Sequence, residues 1–335
     1  MNSDAENQPD TQPTTQTEPP NRKRARVDSP EPPEPKRHEK LWFEDGNVVL
    51  QAGDTMFRVY RGMLCNASVI FRDMFSMPQP PEGETIEGVP HVKLHDSPWE
   101  LADLLDVLYD GKQFVKQSTK PRWTVVQSLY RLGSKYEVLD LRDAALHYIR
   151  RLHLGTPQKR KRLYDSTTSP VIYEPADIIA MANLIPEFNI GKVLHVGFLY
   201  ACCQLTVKEL LDGIPHSRGY VERLTPDNLR WCMEGRANLI VASAEMVNRC
   251  IIGMPTCPHA DCSRILRHQI TQEGHSELLY NPNPLGFWEI PRFQDRYNEL
   301  KSYMCPACLA KVQTLFDTRK QDLYLHMDQY FKLAT

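Results

Sequence analysis

The sequence predicts an α+β protein: a first half of short strands and helices, followed by a mostly α-helical C-terminal region. Three observations predict it. "NVVLQAGDTMFRVYRGMLCNASVIFRDMF" (47–75) alternates like a strand, turns, alternates again and then shifts to helical spacing. "HVKLHD" (91–96) is one more short strand-like run, and a leucine-rich helical pattern follows it. From residue 175 onward the apolar residues keep helical spacing between capping signals.

The elements follow in order. Val48, Leu50 and Ala52 alternate with Val49 and Gln51, and Gly53-Asp54 makes the turn of a hairpin. Met56, Arg58 and Tyr60 then alternate with Phe57 and Val59. Met63, Leu64 and Ala67 fall at helical spacing, and Val69, Ile70, Met74 and Phe75 supply a second short helix. Ser97-Pro98-Trp99-Glu100 reads as a capping box with proline at the first helical position. Leu101, Leu104, Leu105 and Leu108 continue that helix, and Gly111 stops it. Two helices near 122–136 and 139–153 close the unit, the second striped by Leu141, Ala145, Tyr148, Ile149 and Leu152.

In the second half, "EPADIIAMANLI" opens a helix and "GKVLHVGFLYACCQL" reads as a buried one. "TVKE" (206–209) is a further capping box, and Thr225-Pro226 starts a long helix carrying Leu229, Trp231 and Leu239. Residues 295–324 read as helical, with the proline of "CPAC" as a start or kink.

Residues 1–40 hold 8 of the 26 prolines and almost no large apolar side chain, so they read as a disordered tail. Two basic clusters within them, Arg22, Lys23, Arg24 and Arg26, then Lys36 and Arg37, have the spacing of a bipartite nuclear import signal, which would make an import carrier a partner. Ser29-Pro30 lies between them, where phosphorylation would add negative charge. A solvated charged tail is the alternative. The domains are then a tail at 1–40, a compact unit at 41–154, a basic linker at 155–174 containing "KRKR", and a helical region at 175–335.

"FEDGNVVLQAGDTMFRVYRGML", "SVIFRDMF" and "VKLHDSPWELADLLDVLYDG" resemble a BTB/POZ domain, closest to the fungal proteins that add a C-terminal region. The resemblance implies a small sheet flanked by a cluster of helices and a role in protein–protein interaction. It also implies self-association as a homodimer, and roles such as scaffold, substrate adaptor for a cullin-type ubiquitin ligase, or transcription-associated regulator. Two positions depart from the family pattern: Tyr60 stands where many members carry His, and Asn47 where many carry Asp. "YDGKQFVKQS" (109–118) lacks the hydrophobic-x-Glu motif common in cullin recruiters. The apolar face of the unit is predicted either to pair with a second copy or to pack against the C-terminal half.

Other classes fit poorly. The net charge is −2, hydrophobic residues are 41% and charged residues 24%, so no global field favours nucleic acid or anionic lipid as a partner. No run of about 18 uncharged apolar residues spans a membrane, and the N-terminus has no apolar signal core. There is no Gly-rich phosphate loop, GxSxG elbow or HExxH, so no enzyme is predicted. The nine cysteines, with Cys65, Cys202, Cys203, Cys232 and Cys250 in apolar surroundings, suit a reducing compartment, nucleus or cytoplasm.

The remaining chemistry is a pair of cysteine pairs. Cys257 and Cys262 frame "CPHADC", and Cys305 and Cys308 frame "CPAC". Two close-set pairs supply four soft ligands for a structural zinc, with His259, His268 and His275 as substitutes. Packed thiols and a redox or disulfide pair are the alternatives.

Overall fold

The computed structural model describes residues 35–77, 84–111, 120–152, 169–252, 257, 262, 264, 265, 282 and 303–331. The side chain of Cys250, the "KRKR" run, Ser29 and the three histidines 259, 268 and 275 lie outside them.

The first half is built on a five-stranded sheet, β1 (Lys36–Trp42), β2 (Val48–Ala52), β3 (Thr55–Val59), β4 (Thr85–Ile86) and β5 (Val89–Leu94), in the order β1-β3-β2-β5-β4. β2 and β3 form the predicted antiparallel hairpin, Val48 opposite Val59 and Ala52 opposite Thr55. Gly53 turns it at φ +54°, where a side chain would be strained and a Cβ would meet Pro98 Cγ at 3.2 Å. β2 buries Val48, Val49, Leu50 and Ala52, on both faces of the sheet. β2 runs parallel to β5, which needs a crossover, and α1 (Arg61–Ala67) and α2 (Val69–Ser76) lie in it. Ser68 begins α2: its Oγ accepts from the Phe71 N–H at 3.0 Å and donates to the Tyr136 carbonyl at 2.5 Å.

β1 is a correction to the sequence reading. The strand takes in residues 36–40, which the proline-rich, apolar-poor composition assigns to the tail, and pairs parallel with β3. The pattern hid it because its residues are nearly all charged or polar, with only Leu41 buried. Arg37 is tied to Glu87 and lies 4.6 Å over the Trp42 ring.

α3 (Pro98–Asp110) buries Leu101, Leu104 and Leu105 and starts with proline as predicted. The capping box does not form: Ser97 makes no side-chain cap bond. Glu100 accepts instead from Arg131 Nη1 at 3.2 Å, because a guanidinium is the stronger partner. α4 (Trp123–Lys135) and α5 (Leu139–Arg151) pack as a helical pair, with Trp123 fully buried.

The second half contains α6 (Pro175–Glu187), α7 (Lys192–Cys202), α8 (Val207–Asp212), α9 (Pro226–Ile252) and α10 (Pro306–Leu325), then a 3₁₀ turn at Met327–Tyr330. α7 buries every residue from Leu194 to Cys202, the all-round apolar pattern of an interior helix. The Thr206/Glu209 capping box forms at α8. A two-residue hairpin, β6 (Ile214–Pro215) with β7 (Val221–Glu222), interrupts the predicted helical run. α10 begins at Pro306, so the proline is a start; residues 295–302 lie outside the described set.

α9 and α10 run antiparallel. Phe331, just beyond α10, meets Gly235 near the start of α9, and Asn238 Nδ2 donates to the Tyr330 carbonyl at 2.8 Å. One apolar cluster extends from Leu41 to Phe331, so the two halves share a core.

Candidate functional site

The first candidate is the α1–α2 face. α1 buries only Leu64, and α2 only Phe71 and Phe75. Met63 and Val69 are 40% and 46% exposed. Asn47 holds the start of α1, its Oδ1 accepting from the Arg61 N–H at 2.7 Å. Tyr60 precedes the helix: its ring stacks on Phe43 at 5.2 Å and its hydroxyl donates to Asp45 Oδ1 at 2.5 Å. The Tyr60 N–H donates to the Tyr109 hydroxyl, which donates in turn to the Tyr60 carbonyl. Burial pushes the Tyr109 phenol up to about 12. Both departures from the family pattern therefore take part in one local network.

The second candidate is the seam that joins the halves, carried by α3 and α4. Arg218, between β6 and β7, donates to both Asp103 oxygens, from Nη1 at 2.9 Å and from Nη2 at 3.1 Å. Ser128 Oγ donates to the same carboxylate at 2.7 Å. Arg131 bridges Glu100 and Glu187, and Tyr130 meets Phe188 edge-on at 4.9 Å. Trp123 N–H donates to the Ile172 carbonyl at 2.7 Å, and Ile172 N–H to the Pro121 carbonyl. Behind the seam, His216 Nε2 donates to Glu174 at 2.8 Å and Asp177 at 3.3 Å. Burial raises the carboxyls of Glu100, Asp177 and Glu222 above the usual range. The cleft there, about 260 Å³ and lined by Trp99, Arg131, Arg218 and Tyr220, is small for a ligand pocket and crossed by these ion pairs. The sequence reading missed the seam, since Asp103 and Arg218 are 115 residues apart.

Deeper in the second half, His195 Nε2 donates to Asn228 Oδ1 at 2.7 Å, while Asn228 Nδ2 donates to the Ala182 carbonyl at 3.1 Å. Burial lowers the His195 pKa from 6.5. The folded chain then holds a neutral imidazole where the unfolded chain takes a proton. Its contribution is fully present above the unfolded pKa and is lost as pH falls. The unfolding free energy from urea titration is expected to fall as pH drops below about 6.5, with a limiting slope of about 1.4 kcal/mol per pH unit for the one proton. His195→Gln is expected to flatten that drop, and equal slopes in the two proteins would refute the assignment.

The third candidate is the cysteine cluster. The sulfurs of Cys257, Cys262, Cys305 and Cys308 all lie within 4.8 Å of one another, Cys262 and Cys308 buried and the others half-buried. The four are thiols, not disulfides. Cys257 Sγ and Cys305 Sγ are 3.7 Å apart, and the Cys305 N–H donates to Cys262 Sγ at 3.3 Å. The Cys308 backbone N–H pulls the Cys305 thiol down to about 7, whereas burial pushes Cys308 up to about 12. Cys202, Cys203 and Cys232 are separate and fully buried; Cys203 Sγ donates to the Cys232 carbonyl at 3.4 Å.

Of the import candidates, Arg22, Lys23, Arg24 and Arg26 lie outside the described residues, whereas Lys36 and Arg37 sit in β1. Residues 112–118 of "YDGKQFVKQS" also lie outside them. No helix among the described residues is long and apolar enough to cross a membrane.

Comparison with known families finds that residues 40–152 match the BTB/POZ domain, a family of protein-interaction modules not generally enzymatic. No curated protein matches the chain.

Proposed function

From the presence of a BTB/POZ domain at residues 40–152, we propose that this protein is a self-associating scaffold or adaptor. Its interaction domain spans 41–154, and a linker at 155–174 leads to the helical region at 175–335. The observation that carries the reading is the α1–α2 face. It presents Met63 and Val69 to solvent, while the bonds that join the halves use α3 and α4. Apolar exposure of this kind favours cover by a second copy. A cullin partner has less support, because "YDGKQFVKQS" carries no glutamate.

Sedimentation equilibrium of the full chain is expected to give a dimer. Met63→Asp with Val69→Asp should weaken self-association at least about tenfold, a cost of about 1.4 kcal/mol or more, with an unchanged far-UV circular dichroism spectrum. A wild-type chain that stays monomeric at about 100 μM, two orders above the concentration where a micromolar contact closes, would sink the proposal.

A further inference from the structure

We propose that Cys257, Cys262, Cys305 and Cys308 bind one structural zinc ion that clamps the far end of α9 to the start of α10. Four sulfurs at about 2.3 Å from a central zinc sit about 3.8 Å from one another. The 3.7 Å between Cys257 Sγ and Cys305 Sγ matches that edge, and all four sulfurs fall within 4.8 Å. The ligands come from two places in the chain. Cys257 and Cys262 follow α9; Cys305 caps α10 and Cys308 lies in its first turn. A tetrathiolate zinc carries two negative charges. The Cys305 N–H aimed at Cys262 Sγ offsets part of them, as does the positive end of the α10 dipole. The set is all sulfur, which selects zinc over calcium or magnesium. Four protein ligands leave no position for substrate, so the role is structural.

The placement explains what the ion does. α10 is a 20-residue helix packed along α9. At its far end Phe331 wedges against Gly235. At its near end the described residues place the thiol cluster, and a metal there closes the loop between Cys262 and Cys305. Each thiol gives up its proton on binding, so affinity falls as pH falls.

Metal analysis of the full chain, purified under reducing conditions, is expected to find one zinc per chain. Cys65→Ser should leave that ratio unchanged, and Cys257→Ser with Cys305→Ser should lower it at least about tenfold. A second measurement does not depend on the variant folding. Cobalt(II) exchanged into the wild-type chain should give the thiolate charge-transfer and tetrahedral d–d bands, and chelation should expose Cys257 and Cys305 to alkylation. A chain that carries no zinc and takes up neither zinc nor cobalt on titration overturns the proposal. So does iron in place of zinc, or unchanged zinc in the double variant.

Discussion

Replacing Phe331 with alanine is expected to destabilise the folded chain by about 3–5 kcal/mol, the range for emptying a buried phenylalanine site. Phe331 has no exposed surface and lies where the C-terminal turn closes on α9. The Gly235 position makes the test specific. A Cβ on Gly235 would lie 2.4 Å from Phe331 Cε1 and 2.5 Å from Cδ1, far inside contact distance. Alanine normally strengthens a helix interior by about 1 kcal/mol over glycine. Here Gly235→Ala is expected to cost about 1–3 kcal/mol from overpacking. The ring has little room to withdraw, because Asn238 holds the adjacent Tyr330 carbonyl at 2.8 Å. The sign should reverse when the ring is removed: Gly235→Ala in the Phe331→Ala background is expected to stabilise. Urea unfolding followed by circular dichroism of the four proteins decides it. Additive effects would show that the two sites do not touch in solution.

The second large effect is expected at the seam. Asp103→Ala should cost about 2–3 kcal/mol, since it removes three hydrogen bonds to a charged group and strands a partly buried guanidinium. The Arg218 and Asp103 side chains are 20% and 14% exposed, so solvent screens the pair only in part. Arg218→Met should cost less, because a flexible apolar side chain can still pack near the Trp99 ring, which the guanidinium now approaches at 5.8 Å. The double variant should then lose less than the sum, with a coupling of about 1–2 kcal/mol measured by thermodynamic cycle. A coupling near zero would mean that the ion pair does not hold the halves together.

Much of the first half was legible in the sequence because its cues are local. The β2–β3 hairpin announces itself by alternation around Gly53-Asp54, and α3 by Pro98 and its leucines. β1 was not legible, since a strand of charged residues at a sheet edge has the composition of a tail. The Ser97 box failed for a different reason: the local signal was present, but Arg131, remote in sequence, competed for Glu100. The cysteine pairs were legible as candidate ligands, and only the fold brings their sulfurs together across 42 intervening residues. The seam has no sequence signature, because an arginine in a short hairpin and an aspartate on a helix are ordinary surface residues until the fold joins them.

The position of β1 bears on how available its basic side chains are. Lys36 and Arg37, which the sequence offers as the second basic cluster of an import-signal spacing, lie in β1. While β1 is zipped to β3, the Arg37 guanidinium is occupied by Glu87 and the Trp42 ring. Any partner that bound Arg37 would compete with the folded sheet for that side chain, so a chain with β1 loosened offers its guanidinium more freely than one with β1 zipped.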